Sequence, residues 1–289
     1  MMRIVDTQIH ISQPNSQEFP WSPEALAGMS DGVRQRFGSP DCGMDSVISM
    51  MDAAGVSCAI LASRGAVYRA DPKYALAAAK KYPGRFAVAG AVYPGIEDIR
   101  SHLERLRENA DIVAIRVVVP TNSPERLTST RYRAVLESAE DLAFPVFIHV
   151  THTPGMVADV ETVAHDYPDL TIVLDHLGLH APPSENSEDL AVVLRLAEQK
   201  NVAVKCAGLP ELSNDAYPYR DTWPAFRRII DAYGAERVMW ASDITAQLRH
   251  MNYQQAVGLI RDEDRLSQHE KEMILYGTVQ KLLHWPSVA

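Results

Sequence analysis

The sequence predicts a single (β/α)₈ barrel (TIM barrel) spanning residues 1–289. Two observations predict it. Eight short β-branched runs alternate with helical patterns along a chain of the length such barrels need. The runs, such as "FAVAGAV", "FPVFIHV" and "LTIVL", are nearly continuous in apolar residues, the habit of strands buried on both faces. A doubly wound open sheet is the alternative arrangement of the same units.

The first strand covers 3–9 and runs into "IVDTQIHIS", where Asp6, Gln8 and His10 occupy alternate positions. Alternate residues of a strand share a face, so these three are expected to point the same way. Residues 11–43 follow, rich in Pro, Gly and Ser. A connection that long is usually functional, so it is read as a lid over the barrel mouth, with Trp21 as a substrate contact; the plainer reading is a surface excursion packed by Phe19 and Trp21. Strand 57–62 leads into Ser63 and Arg64. The helix "DPKYALAAAKKYPG" has Asp71 as its N-cap candidate and Pro72 at its first position. Strand 86–92 comes next, then 112–118 with Arg116 in "VAIRVVV". Strand 145–150 carries His149, with His152 just beyond, and strand 171–175 runs into "LDHLGLH", giving Asp175, His176 and His180. Strand 202–206 holds Lys205. The helix "TWPAFRRIIDAYG" stops at Gly234, a natural terminator. Strand 237–242 is followed by Asp243, and the last helix opens with Ser267 and Glu270 at capping-box spacing.

In such barrels the chemistry sits at the C-terminal strand ends. His10, His149, His176 and Asp243 each follow or close a different strand, and a shared site explains them better than four isolated polar residues. Imidazoles with a carboxylate suit metal binding or proton transfer. Arg116 and Arg64 are candidates for a substrate carboxylate, since the guanidinium fork matches it. Lys205 could join them, hold Asp243, or only neutralise an interior carboxylate.

The composition narrows the partners. Apolar residues make up 46% of the chain, the formal charge is −9, and there is no basic run, which argues against nucleic acid and anionic membranes. No stretch reaches the length of a membrane span, and no leader-like segment opens the chain. Cys42, Cys58 and Cys206 have neither zinc-type nor redox-pair spacing and suit a reducing cytoplasm. A small-molecule substrate is the expected partner, and a homo-oligomer stays open.

The segments "VDTQIH", "HV" closing the fifth strand, "LDHLG", "VAVKCAGL", "RVMWASD" and "ILYGTVQKLL" together resemble the amidohydrolase-related (amidohydrolase 2) branch of the amidohydrolase superfamily, over essentially the whole chain. The "FPW" after the first strand is similar to the lactone hydrolases of that branch, the group of 2-pyrone-4,6-dicarboxylate and sugar lactonases. The resemblance implies that His10 and His149 are metal ligands with Asp243, that His176 polarises the substrate, and that Asp243 activates water. It implies one divalent metal, zinc first, or none, because Gln8 stands where the family usually has His and some decarboxylases have Glu. An amide oxygen is a weaker, uncharged donor. Gln8 is therefore kept among the residues beside the substrate. The implied activity is a hydrolase opening a small carboxylated lactone; the alternatives are a non-oxidative decarboxylase of an aromatic acid and a non-catalytic small-molecule-binding barrel.

Overall fold

A computed structural model describes residues 2–120, 123–150, 155–183 and 187–285. His152 lies outside the described residues. Eight parallel strands form one sheet in sequential order: β1 Val5–Ile9, β2 Cys58–Ala62, β3 Phe86–Val92, β4 Ile112–Val118, β5 Val146–His149, β6 Ile172–Leu174, β7 Val202–Cys206 and β8 Val238–Trp240. Three strands match the expected bounds, and the others are shorter by one to three residues because the expected runs took in flanking turns. Hydrogen bonds bridge β8 and β1 just beyond the ladder, from Asp243 N to Gln8 O and from Thr245 N to His10 O. The barrel is thereby nearly closed, as the strand count and apolar runs require.

Inside, one residue per strand makes an apolar layer: Val5, Ile60, Ala89, Ala114, Phe147, Val173, Ala203 and Met239. Two residues further along, on the same face, four of these strands place Arg116, His149, Asp175 and Lys205. The strand period thus stacks a polar layer directly on an apolar floor. The helix Thr278–Leu283 adds Val279 and Leu283 to that floor.

β1 departs from strict alternation. Its register against β2 shifts between Asp6 and Ile9, so Asp6 does not share the surroundings of Gln8. Instead the Asp6 carboxylate accepts from Ser242 N at 3.0 Å and from Tyr253 OH at 2.8 Å. It staples the β1–β8 seam, and burial pushes its pKa up to about 6.

Segment 11–43 is not a bare loop: it contains α1 Pro23–Gly28, capped by Ser22, and α2 Asp31–Phe37, capped by Ser30. Helix α3 Met44–Ala54 follows. Further on, the helix Lys73–Lys81 starts one residue after Pro72, and Asp71 Oδ1 accepts from Lys73 N. The helix Trp223–Tyr233 stops at Gly234, whose φ is 73°. Ser267 and Glu270 form both bonds of the capping box, after which the last helix passes through a π-turn at Met273–Gly277. All three cysteines are buried free thiols. Among the described residues no helix is long and apolar enough to cross a membrane.

Candidate active site

A cavity of about 500 Å³ opens at the C-terminal ends of the strands, walled by His10, His149, His176, Asp243, Arg64 and Arg116, with Phe37, Tyr93 and Thr245. Each strand-end histidine proposed from the sequence reaches it. Gln8 lies just behind the wall, fully buried. His176 and Asp243 both have positive φ, 52° and 57°. For non-glycine residues this costs about 1–3 kcal/mol each, so the surrounding bonds must hold them.

Those bonds define the site's electrostatics. Gln8 Nε2 donates to Asp243 Oδ1 at 3.1 Å and lies 3.3 Å from His176 Nε2, while Gln8 Oε1 accepts from Lys205 Nζ at 3.1 Å. The ammonium fixes which end of the amide is oxygen, so the NH₂ group faces Asp243 and His176. His176 Nε2 then accepts, which leaves the ring proton on Nδ1. His10 Nδ1 meets the Ala62 carbonyl at 2.8 Å, a contact only an N–H makes, and His10 Nε2 meets Asp243 Oδ1 at 3.1 Å. A proton is therefore shared between His10 and Asp243. Burial pulls the His10 pKa down, and the Asp243 bond opposes it. For Asp243, burial favours the neutral acid. The His10 hydrogen bond, together with the Gln247 amide on Oδ2 at 3.1 Å, outweighs it and holds the carboxyl well below its usual range. Oδ1 takes two donors and Oδ2 one, so Oδ2 keeps a lone pair for a water molecule.

Below lies a buried ion cluster. Asp175 pairs with Lys205 at 2.9 Å and with Arg116 Nε at 2.8 Å, and His149 Nδ1 is 3.9 Å from it. Burial would raise the Asp175 carboxyl, but Lys205 and then Arg116 hold it well below its usual range. Burial draws Lys205 down to about 8, against the pull of Asp175. Lys205 is thus a neutralising residue that also orients Gln8. It does not line the cavity.

Trp21 is likewise set back from the cavity wall. It is buried in the packing of segment 11–43, with Nε1 donating to the Gln13 carbonyl at 2.8 Å, and it does not line the cavity. That segment reaches the site through Phe37 and Arg36 instead.

The residues do not fit a resident zinc as arranged. Glutamine binds metals through its oxygen, and here that oxygen is turned to Lys205 while N–H donors face Asp243 and His176. Among the described residues no three His, Cys, Asp or Glu side chains converge at metal-binding spacing.

Sequence reasoning missed Tyr93, Thr245 and Gly208. Tyr93 is two alternations beyond the floor residue Ala89, and Thr245 is two residues beyond Asp243, so the rule that found Arg116 and Asp243 also reaches them. Gly208 has φ 70°, and a Cβ there would lie 2.5 Å from His176 Nδ1. Gly208→Ala should displace the imidazole and cut activity by about 10²-fold, the cost of roughly an ångström of misplacement. Gly84→Ala is the control, since Gly84 has φ 74° and open space around it. Equal activity in the two variants would show that His176 needs no such clearance.

A sequential (β/α)₈ barrel with histidines and an aspartate around the strand-end mouth is the architecture of a hydrolytic or lyase-type enzyme rather than a scaffold. The chain belongs to the amidohydrolase family, whose profile matches residues 5–285. It is similar to the L-fucono-1,5-lactonase of Burkholderia ambifaria, at 27% identity over 249 residues, covering 83% of this chain and 79% of that protein. Its fold is similar to the crystal structure of a candidate 2-pyrone-4,6-dicarboxylic acid hydrolase from Pseudomonas putida (TM-score 0.78, 20% identity, 99% of each chain). It is also similar to that of a Burkholderia multivorans amidohydrolase with bound zinc (TM-score 0.73, 21% identity, 98% of this chain and 100% of that one).

Proposed function

We propose that this chain hydrolyses a small carboxylated lactone, with Asp243 as general base. The observation that carries the reading is the Asp243 carboxylate, held ionised at the cavity wall with one lone pair of Oδ2 unspent beside three imidazoles. The similarity to a lactonase supports the substrate class. Water bound at Oδ2 gives up its proton to the carboxylate as it attacks the lactone carbonyl. The oxyanion that forms is met by imidazole N–H groups of His176 and His149, while His10, with both ring nitrogens committed to the Ala62 carbonyl and Asp243, holds the base in place. Ring opening then returns the proton to the leaving alkoxide. A lactone is an activated ester, so this route asks for no resident metal.

The test is a panel of lactones and phenolic acids in ¹⁸O-water. Heavy oxygen in a ring-opened carboxylate is the expected result. Carbon dioxide release with an unlabelled phenol product would replace hydrolysis by decarboxylation.

The reading also gives Gln8 a defined role, as a donor that orients Asp243 and His176 where a ligand would stand in a metal-binding relative. Gln8→His replaces the amide by an imidazole and should raise zinc affinity at least about tenfold in a chelator competition. Equal affinity in both proteins would mean that the position of residue 8 does not govern metal binding.

A further inference from the structure

We infer that Arg64, and not Arg116, is the carboxylate-binding subsite of this cavity; the inference deepens the lactonase reading and rests on it for the identity of the substrate. From sequence the two guanidiniums are equal candidates, and their surroundings differ.

Arg116 is already engaged by an internal carboxylate, which it shares with Lys205. Its Nε donates to Asp175 Oδ2, a carboxylate with no exposure to solvent. A substrate carboxylate arriving there would share the guanidinium with an internal one, whereas at Arg64 it would be the sole anion.

Arg64 is only 8% exposed, lines the cavity, and has no carboxylate within ion-pair distance among the described residues. Of its five N–H groups one, on Nη2, has a partner, the Thr245 hydroxyl at 2.6 Å. Its Nε is buried and has no partner among the described residues. A buried cation with unspent donors is costly unless an anion meets it, and burial accordingly pulls its pKa down.

The group is also held in place for that task. Thr245 spends its own proton on the His10 carbonyl at 3.1 Å, so its oxygen is committed to accepting from Arg64. The guanidinium lies over the Phe37 ring, 4.8 Å from its centroid, and Arg36 sits at the same distance from that ring. Arg36 is exposed and forms no ion pair among the described residues, so it adds positive potential at the mouth and draws an anion toward Arg64. Thr245 is two residues from Asp243. A carboxylate on Arg64 is therefore anchored next to the general base, which suits a lactone bearing its carboxylate close to the ring.

The experiment compares a carboxylated δ-lactone with its counterpart lacking the carboxylate, in the wild-type enzyme and in Arg64→Gln, Arg64→Lys and Arg116→Gln. Citrate, titrated calorimetrically, serves as a substrate-independent carboxylate probe. Arg64→Gln should lower the ratio of kcat/KM for the carboxylated over the plain lactone by about 10- to 100-fold, the worth of a charge-assisted bidentate contact. Citrate affinity should fall by a similar factor. Arg64→Lys keeps the charge without the fork and should fall between; it also covers the case in which the glutamine variant does not fold. An unchanged ratio in Arg64→Gln and Arg64→Lys, or a loss confined to Arg116→Gln, overturns the assignment. Citrate binding that depends on Arg64 in an enzyme opening no lactone would sustain the subsite and sink the lactonase reading. Lactone hydrolysis with no Arg64 dependence would do the reverse.

Discussion

Asp243→Asn should lower kcat by about 10²- to 10⁴-fold and change KM little. The asparagine keeps the shape of the side chain, and its remaining oxygen can still accept from His10 or Gln8. What it removes is the basic oxygen whose free lone pair faces the cavity. General-base catalysis is worth about that factor, and an interaction realised only in the transition state appears in kcat rather than in KM. The substitution also has a structural check. Asp243 sits at φ 57°, a conformation asparagine adopts more readily than most residues, so loss of activity by misfolding is not expected. Steady-state kinetics on a carboxylated lactone, beside the thermal unfolding of both proteins, decides the matter. A variant retaining a third or more of the wild-type kcat would remove Asp243 from the base role and leave the imidazoles to carry it.

Much of the frame is legible in the sequence because the barrel writes it twice. Apolar β-branched runs mark the strands, and the residue two or four positions past each floor residue marks the site: Ala114 to Arg116, Phe147 to His149, Met239 to Asp243. The same arithmetic extends from Ala89 to Tyr93, where a neutral aromatic carries no charge to mark it as part of a site. Three features were not legible, each for a physical reason. The register shift in β1 follows from the closure of the sheet and sends Asp6 to the seam, whereas strict alternation puts it beside Gln8. The burial of Trp21 depends on how α1 and α2 fold back, which local pattern does not encode. The position of Lys205 depends on Asp175, the residue just past the neighbouring strand β6, and either a cavity wall or an interior pair satisfies its sequence context equally.

Lys205→Met is the substitution expected to cost the most stability. Methionine approximates the volume of the lysine stem but removes the ammonium that Asp175 and Gln8 share. Breaking a buried ion pair from one side costs about 3–5 kcal/mol, because the charge left behind has already lost its water. Arg116 stays beside Asp175 and places the expected loss toward the lower end of that range. The comparison that isolates burial is Lys81→Met. Lys81 meets Asp45 at 2.7 Å, as short as the 2.9 Å of Lys205 to Asp175, but its side chain is 52% exposed where that of Lys205 is 0% exposed. Water screens the first pair and is absent from the second, so equal geometry gives unequal energy. Urea unfolding of both variants at pH 7, where a Lys205 ammonium with a pKa near 8 is still protonated, should show a large drop for Lys205→Met and an unmoved midpoint for Lys81→Met. There is a functional consequence as well. Without Lys205 the Gln8 Oε1 loses its donor, and the amide that orients Asp243 and His176 is held only at its Nε2 end. Lys205→Met should therefore lower kcat even in the fraction that remains folded. Equal stability of the two variants would mean that Asp175 is satisfied by Arg116 alone, and that neither the ion pair nor the seat of Lys205 Nζ over the Phe147 ring, 3.3 Å from its centroid, adds to stability.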